Sequence, residues 1–478
     1  SFLPTPMELV ELQPVLLAAG LGLAFILLAL KKLRKGSGDK QKQGGYGKVK
    51  THSPSLWSSV IRPYEFYALL GYLFAGKGSS ATLCSDLPYA AEEQVVKDDA
   101  ILHKLLKKVS RSFAAVIADL PNSAAAPLRL SVGTFYLLLR ALDTVEDDMD
   151  LEHFERFKDA SVAGEGMLPL LGKETGVQVK QRLLRAFVAR LDSPAGDAKL
   201  HGIGEGAEEE LLRNFAALRR LIDRLPKGHR NVLCNICKEM GEGMATYLVR
   251  DLREGTKDVA DYERYCYFVA GLVGKGLSQL FLTSGYERAP QVQEQRLWEP
   301  MGAFLQVTNI TRDYIEDVVD GRTFWPRDIW SKHVAELSDL RLDVEDTPAR
   351  RAASLACLDE MIAHALAKVP ACLEYLDALV SEPTLRFCAV PQVMAIATLA
   401  ECYRNPKVFT GVVKIRKGLA VRLLRDCAAG KDIRKYRWWF AHFAAQMRRT
   451  ALAVPDGKGA ACAEACARIL EAASKKTA

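Results

Sequence analysis

The sequence predicts an all-α protein of 478 residues, and three observations support this fold class. From residue 95 onward, long stretches repeat apolar residues at intervals of three and four, which is the spacing of one helix face. Alternating strand patterns bounded by turns are hard to find. Clusters of Pro and Gly, for example at 121–127 and 225–228, separate the apolar stretches. With 49% hydrophobic and 26% charged residues, the chain can bury a large core and is not wholly disordered or fibrous.

The N-terminal segment 1–30 predicts a transmembrane anchor. Residues 14–30 (PVLLAAGLGLAFILLAL) carry no charge, and as a helix they would span roughly 26 Å, at ~1.5 Å per residue. Four basic residues follow within 31–35, whereas a secretory signal peptide carries its positive charge before the apolar stretch. The positive-inside rule therefore places the rest of the chain in the cytoplasm. A targeting sequence and a buried core helix are the alternatives.

Composition divides the remaining chain into three regions. Residues 31–94 are predicted to form a basic tether. Within this tether, the aromatic stretch 56–75 either lies in the membrane interface, which we favour, or docks onto the body. Residues 95–428 are predicted to form the helical body, and residues 429–478 a basic C-terminal tail. The WWF cluster of the tail either touches the membrane surface or packs on the body.

Charge and cysteine usage restrict the class of protein. The net charge of +7 equals that of residues 31–50, which hold eight basic residues and one acidic residue. Because the tail is basic as well, the body is mildly acidic and does not predict a nucleic-acid partner. Among the eleven cysteines, Cys234 and Cys237 form a close pair without the further ligands of a zinc site. We therefore expect reduced, buried thiols and a cytosolic body.

One acidic pattern, DxxED, occurs at 143–147 and again at 313–317. On a helix, positions i, i+3 and i+4 share a face, so each motif would project three carboxylates together. Like charges at this spacing repel, and each motif follows an otherwise apolar helical stretch. Such oxygen ligands are typical of Mg²⁺, or of Mn²⁺, bound together with substrate phosphates. Two solvated acidic helix ends are the alternative. The predicted metal ligands are Asp143, Glu146, Asp147, Asp313, Glu316 and Asp317.

Basic residues accompany both motifs. Arg140 lies one turn before the first motif, Arg312 adjoins the second, and Arg322 follows it. Arginines beside carboxylate clusters on apolar helices favour an anion site completed by bound metal. The combination predicts a diphosphate held by Mg²⁺ above an apolar cavity that contains its hydrocarbon chain. Departure of that diphosphate would leave an allylic carbocation.

Seven segments resemble the squalene/phytoene synthase family of head-to-head prenyl synthases. The last three, which contain RTFWP, FCAVPQVMAIATL and VVKIRKG, resemble the squalene branch, which uses NADPH, rather than the phytoene branch. The segments follow the family order and are VSRSFAAVI (109–117), FYLLLRALDTVEDDM (135–149), MGEGMA (240–245), YCYFVAGLVGKGLSQLF (265–281), FLQVTNITRDYIEDVVDGRTFWPRDIW (304–330), FCAVPQVMAIATLAECY (387–403) and VVKIRKG (412–418).

The resemblance implies a class I isoprenoid synthase fold, in which one helical catalytic domain surrounds a central cavity. It implies that two farnesyl diphosphates condense to presqualene diphosphate, which NADPH then reduces to squalene for sterol biosynthesis. A related synthase that releases presqualene diphosphate or another thirty-carbon product is the alternative. A catalytically inactive membrane scaffold is a third hypothesis, which both intact motifs argue against. We expect a monomer in the endoplasmic reticulum membrane, with its catalytic domain facing the cytosol.

The resemblance also implies roles for individual residues. Tyr265 matches the family tyrosine implicated in proton abstraction, and the four aspartates of the two motifs share the catalytic role. The expected substrate-binding residues are Lys104, Arg111, Phe113, Arg140, Arg312 and Arg322. The expected NADPH-binding residues are Tyr136, Asn309, Phe387, Gln392, Lys414 and Arg416.

Two positions depart from the family pattern. Lys275 occupies an apolar position, and Gln279 replaces a usual basic residue. Because these positions are four apart, the charge either has moved by one helical turn or points into the cavity. A charge inside the cavity would change the second step or its product.

Overall fold

The structure is a computed structural model. It describes residues 43–44, 47–54, 58, 62, 64–65, 68, 81–110, 113–155, 175–191, 200, 202–429 and 432–475. The segment 1–30, predicted as the membrane anchor, lies outside the described residues, and so does Arg111.

Helices form nearly all the regular structure of the described residues, which confirms the all-α prediction. Their order follows the apolar stretches and breaks of the sequence. The helices are α1 (Glu93–Val109), α2 (Phe113–Ala118), α3 (Leu128–Asp147), α4 (Leu151–Glu155), α5 (Gly176–Arg185), α6 (Ala207–Arg213), α7 (Phe215–Asp223), α8 (Lys227–Tyr247), α9 (Val259–Cys266), α10 (Leu272–Thr283), α11 (Gln295–Arg312), α12 (Tyr314–Val319), α13 (Arg327–Trp330), α14 (Pro348–Leu366), α15 (Val369–Ala378), α16 (Glu382–Cys402), α17 (Lys417–Leu424), α18 (Lys435–Leu452) and α19 (Ala460–Ser474).

The described residues contain four strands, each two residues long. β1 (Gln43–Gly44) pairs antiparallel with β2 (Gly47–Lys48). β3 (Thr51–His52) pairs in parallel with β4 (Val412–Val413), and the His52 ring hydrogen-bonds the Thr410 hydroxyl at 2.8 Å. This second sheet joins the N-terminal part of the described chain to the segment after α16.

Helix α11 lies at the centre of the packing, against α10, α15, α16 and a π-helical turn. That turn, Tyr267–Gly271, connects α9 to α10. A Cβ added to Gly302 of α11 would overlap the carbonyl oxygen of Ala270, and one added to Gly274 of α10 would overlap that of Trp298. Only glycine fits at these two positions, so the two helices cross with their backbones in contact.

Two stretches of the described residues, Val259–Thr283 and Glu382–Cys402, are long and apolar enough to cross a membrane. Their most apolar windows are 50% and 78% buried inside the protein. Both stretches also line the central cavity, so their apolar character has a place within the fold.

The C-terminal segment, expected to be a tail, forms a hairpin of α18 and α19 that packs against the body. Helix α18 contacts α16, and α19 contacts α14 and α15. Trp439 and Phe440 of the WWF cluster are buried, whereas Trp438 is 44% exposed. Packing on the body therefore accounts for two of the three aromatic residues.

Two described residues of the aromatic stretch 56–75, Glu65 and Ala68, pack on the body, whereas Tyr64 is exposed. Glu65 is 4% exposed and Ala68 is 1% exposed. The Arg416 guanidinium binds the Glu65 carboxylate, with an Nη2–Oε1 distance of 3.0 Å. The burial of Glu65 and Ala68 differs from the interfacial placement that we favoured. The long-range ion pair between Glu65 and Arg416 holds this part of the segment on the body.

Candidate functional site

An apolar cavity with an empty volume of about 960 Å³, its mouth included, lies among α2, α3, α8, α10, α11 and α16. Leu139, Val273 and Leu277 are typical of its walls. Arg140 and Asp143 lie on its lining as well, and they give the cavity one charged end. The expected arrangement of an apolar chamber beside an acidic motif is therefore present.

Helix α3 carries the first motif in its last turn. Asp143 is half-buried on the cavity lining, Glu146 is 3% exposed, and Asp147 is exposed. Burial raises the pKa of Asp143 to about 7, with the neighbouring Arg140 opposing the rise and Asp147 adding to it. The motif therefore concentrates negative charge where the apolar helix ends.

The spacing of the second motif predicts one uninterrupted helix, but the structure divides this motif between two helices. Helix α11 ends at Arg312, and Asp313 separates it from α12. The N–H of Asp317 still donates to the Asp313 carbonyl at 3.1 Å, so the chain keeps its helical course through the break. The Arg312 guanidinium donates to both oxygens of the Asp313 carboxylate, at 2.7 and 2.5 Å.

The two motifs face each other around Tyr265. Burial raises the pKa of Asp317 well above its usual value, and the charges of nearby carboxylates, including Asp147 of the first motif, raise it further. Burial is likewise the main cause that raises the pKa of Tyr265. The charge of Asp147 raises it further, and Asp317 and Asp143 contribute in the same direction. Carboxylates from both motifs therefore act on one hydroxyl group.

Arg322 links the two motifs. Its guanidinium pairs with the Glu146 carboxylate, and its Nη1 lies 3.9 Å from Oδ1 of Asp147. Its backbone N–H donates to the Asp317 carbonyl at 2.9 Å. Burial lowers the pKa of Arg322 to about 10. One cation thus contacts the first motif with its side chain and the second with its backbone.

Tyr265 is held by aromatic contacts near the end of α9. Its ring stacks on Phe324, with 3.9 Å between centroids and 12° between planes. The Tyr247 ring meets it edge-on at 5.1 Å, and the Arg322 guanidinium lies 5.3 Å from the Phe324 centroid. Neither Phe324 nor Tyr247 carries a signal of this contact in the sequence, although Phe324 lies in the RTFWP segment.

The carboxylates fit a divalent cation that shares its coordination with a substrate. Among the described residues, no group of three His, Cys, Asp or Glu side chains is placed to hold a metal ion by itself. Mg²⁺ commonly uses one or two carboxylates together with phosphate oxygens and water. Burial first, and neighbouring carboxylates second, raise the pKa values of Asp143 and Asp317, and a cation bound there would favour their charged forms.

The residues predicted to bind substrate are only partly brought together. Phe113 and Arg140 line the cavity, and Arg312 lines the adjoining second pocket. Arg140 also lies 3.8 Å from the Glu208 carboxylate of α6. Lys104 is largely exposed and lies 3.6 Å from the Glu210 carboxylate, which places it outside the cavity lining. The acidic run 208–210 therefore pairs with basic residues of α1 and α3.

Four of the predicted NADPH-binding residues lie in two adjoining pockets. Tyr136, Phe387 and Gln392 line the cavity, and the Gln392 amide donates to the Met301 carbonyl at 2.7 Å. Asn309 lines a second pocket with an empty volume of about 650 Å³. This pocket shares three lining residues with the cavity, which are Phe113, Leu305 and Pro391.

Lys414 and Arg416 lie farther from the cavity. Lys414 is exposed, and Arg416 pairs with Glu65 at 3.0 Å and with Glu401 at 3.6 Å. Glu401 follows Thr398, a lining residue of the second pocket, by one turn of α16. The basic cluster therefore lies beyond the second pocket, and two carboxylates already neutralise part of its charge.

Lys275 does not line the cavity. Its Nζ lies 2.7 Å from Oε2 of Glu239 on α8, and the Tyr267 hydroxyl donates to the same carboxylate at 2.8 Å. The alternative in which Lys275 points into the cavity is therefore wrong, because an interhelical carboxylate holds its charge.

The sequence profile of the Squalene/phytoene synthase family matches residues 106–418, a range that includes both acidic motifs and the cavity walls. The chain belongs to this family. The expected class I isoprenoid synthase fold is supported by the solved structure of TcSQS in complex with a ligand. That structure is 33% identical and has a TM-score of 0.65, over 79% of this chain and 98% of that chain.

Several members of the family are similar over most of the chain. The squalene synthase of Schizosaccharomyces pombe is 41% identical over 355 residues, which cover 73% of this chain and 70% of that protein. The squalene synthase of Rattus norvegicus is 37% identical over 366 residues, which cover 76% of each. The squalene synthase of Homo sapiens is 36% identical over 364 residues, which also cover 76% of each.

Proposed function

We propose that the chain acts as a squalene synthase, which joins two farnesyl diphosphates head to head and reduces presqualene diphosphate to squalene. One observation carries this proposal: both acidic motifs face Tyr265 beside an apolar cavity, in a chain 36–41% identical to squalene synthases. This enzyme is a farnesyl-diphosphate farnesyltransferase.

The diphosphate site would combine the two acidic motifs with the arginines beside them. Asp143, Asp147, Asp313 and Asp317, with Glu146 and Glu316, would hold Mg²⁺, or Mn²⁺, whose positive charge assists departure of the diphosphate. Arg140, Arg312 and Arg322 would bind the same anion through charge-assisted hydrogen bonds. The apolar walls of the cavity exclude water from the carbocation that remains.

Tyr265 is the group that we assign to proton removal during formation of the cyclopropane ring. Its stacking on Phe324 fixes the ring, and burial keeps its hydroxyl neutral. A neutral hydroxyl can accept the substrate proton only while it passes its own proton onward. A nearby carboxylate of the motifs that does not bind the metal would accept that proton.

NADPH would bind in the second pocket and reach the cavity past their shared residues, Phe113, Leu305 and Pro391. Asn309 lies in this pocket, while Tyr136, Phe387 and Gln392 lie on the cavity side. Lys414 and Arg416 would meet the phosphate end of the dinucleotide. Arg416 would then exchange part of its contact with Glu65 or Glu401 for a phosphate.

We further propose a monomer anchored in the endoplasmic reticulum membrane by residues 1–30, with a tether at 31–94. The catalytic domain 95–428 and the segment 429–478 would lie in the cytosol. The uncharged stretch 14–30 and the basic residues within 31–35 support this topology. Protease added outside sealed microsomes should digest the catalytic domain, and its protection would contradict the orientation.

The activity is tested by incubating the full-length protein with farnesyl diphosphate and Mg²⁺, with and without NADPH, and identifying the products by mass spectrometry. We expect squalene only when NADPH is present. Presqualene diphosphate as the product under both conditions would contradict the proposal.

Variants of the motifs test the metal site. Asp143→Asn and Asp313→Asn should each abolish product and leave the circular dichroism spectrum unchanged. Asp251→Asn, at an exposed aspartate that binds Arg253, is the matched control and should keep full activity. Turnover by both motif variants would exclude the metal assignment.

A further inference from the structure

Helix α18 has a buried face and an exposed face with different chemistry. Trp439, Phe440 and Phe443 are buried against the body. Trp438 faces solvent, the Lys435 ammonium lies 4.7 Å from the centroid of its ring, and the His442 ring stacks on it at 5.0 Å. The exposed face is therefore aromatic and basic.

A second exposed aromatic side chain lies close to this helix. Tyr64 is 70% exposed, and the Arg422 guanidinium of α17 lies 5.1 Å from its ring and 4.8 Å from that of Trp439. The Trp439 ring in turn meets Trp438 at 4.7 Å. Within the described part of the chain, Tyr64 and Trp438 are the two aromatic residues among the large exposed hydrophobic side chains. We call Tyr64, Arg422, Lys435, Trp438 and His442 the aromatic–basic face.

The charge around this face is mainly positive. The sequence of α18 contains no acidic residue, and its second half carries Arg448 and Arg449. Asp426 binds Arg425 at 3.0 Å and also lies 3.8 Å from Nε of Arg422, so it neutralises part of the charge of this face. The exposed Asp432 accepts the backbone N–H of Arg434. These two carboxylates leave Lys435, Arg448 and Arg449 available to another anion.

We propose that the aromatic–basic face docks on the surface of an anionic lipid bilayer. Trp and Tyr side chains favour the boundary between hydrocarbon and headgroups, where their apolar rings and polar tips are both accommodated. Lys and Arg beside them bind headgroup phosphates. Tyr64 belongs to the aromatic stretch 56–75 of the tether, so the face includes a residue of the segment that leads from the predicted anchor to the body.

A pocket beside this face shares one wall residue with the catalytic cavity. The π-helical turn Arg425–Ala429 packs against α18, and its Ala428 lines a pocket with an empty volume of about 550 Å³. Phe387 lines both this pocket and the cavity. A body docked through this face would hold this pocket, whose lining combines Phe387 and Val116 with the charged Asp119, Glu382 and Arg386, close to the bilayer.

The proposal is tested with the full-length protein in vesicles whose lipids carry bromine in the acyl chains. Zwitterionic phosphatidylcholine vesicles are compared with vesicles that also contain phosphatidylglycerol. Bromine quenches tryptophan fluorescence only at short range, so the difference between wild type and Trp438→Phe reports on Trp438. We expect quenching of Trp438 in the anionic vesicles and its loss in the variant Lys435→Gln/Arg449→Gln or at high salt.

The docking face depends on the proposed anchor only for the position of the tether. The outcomes of the experiment distinguish failure of the anchor from failure of the docking face. Failure to float with either kind of vesicle would contradict the anchor. Flotation with both kinds, but without quenching of Trp438 in anionic vesicles, would overturn the docking face. If Trp438 were shielded from solvent only after microsomal proteins are added, the face would bind a protein partner. This outcome would also overturn the lipid-docking proposal. Val249→Ala, at another exposed apolar residue, is the control and should behave as wild type.

Discussion

Arg322 contacts both acidic motifs, so a single substitution at this residue probes their connection. Arg322→Lys keeps the charge but loses the planar fork that can bind Glu146 and an incoming diphosphate together. Loss of a hydrogen bond to a charged group should lower kcat/KM for farnesyl diphosphate about tenfold to a hundredfold. Steady-state assays of squalene formation measure the effect. Arg253→Lys, at an exposed arginine, should not change kcat/KM, and an equal effect of both variants would contradict this role.

Tyr265→Phe separates the hydroxyl group from the ring. The stack on Phe324 needs only the ring, so the thermal midpoint and the circular dichroism spectrum should stay close to those of wild type. Loss of a general acid–base group should lower the rate of presqualene diphosphate formation by about 10² to 10⁴. Single-turnover assays without NADPH measure this step. Tyr286→Phe removes a hydroxyl elsewhere and should be neutral; turnover by Tyr265→Phe at the wild-type rate would exclude the assignment.

At the scale of single residues, the sequence predicts the roles that depend on the spacing of neighbours along one helix. The carboxylates of the first motif share a face because the geometry of α3 requires it, and their chemistry follows from that spacing. The partner of Arg416 has no such local signal, since Glu65 lies 351 residues away. The same holds for Phe324 beneath Tyr265, because stacking between distant segments depends on how the helices pack.

Among the helices, the crossing of α10 and α11 is the most restrictive contact. Gly302→Ala would force a methyl group against the Ala270 carbonyl, so the free energy of unfolding should fall by about 1–3 kcal/mol or more. Chemical denaturation measures the change. Gly228→Ala on α8 is the control, since its added Cβ would meet only a methyl group of Thr283, at 3.0 Å. A smaller effect at Gly302 than at Gly228 would contradict the close crossing.

The contact between Lys275 of α10 and Glu239 of α8 predicts that replacing Lys275 leaves the product unchanged. Lys275→Ile should give squalene as wild type does, because Lys275 binds Glu239 outside the cavity. Loss of a half-exposed ion pair should lower stability by about 1 kcal/mol or less. Product analysis by mass spectrometry and thermal unfolding test both parts. A new thirty-carbon product would show that the side chain reaches the cavity.

The elements themselves follow from apolar periodicity, but their ends and partners follow only in part. The break at Asp313 is invisible in the spacing of the second motif, because the next turn resumes the same helical pattern. Helix α18 has an apolar side that would suit either a bilayer or another helix. Its contact with α16 decides between them, and that contact depends on the tertiary fold.

Across the whole molecule, the eleven cysteines are free, and all but the half-buried Cys234 are buried. Burial raises the pKa of most of these thiols, for example that of Cys402 to about 12, and so keeps them unreactive. Brief treatment of the native enzyme with N-ethylmaleimide should therefore label at most Cys234. Intact-mass spectrometry before and after denaturation counts the labels. Rapid labelling of several cysteines, or a native disulfide, would contradict the expected reduced interior.

The pairing of β3 with β4, together with the ion pair between Glu65 and Arg416, has a consequence for biogenesis. The ribosome makes β3 early and must add more than 350 further residues before β4 and Arg416 emerge. Until then, Glu65 lacks its long-range partner Arg416 and has only the nearby Arg62, at 3.9 Å, and β3 lacks its neighbouring strand. The catalytic body therefore closes only late in translation. A nascent chain that stalls before residue 412 would keep its early segments unpaired and would be a substrate for chaperones and proteases.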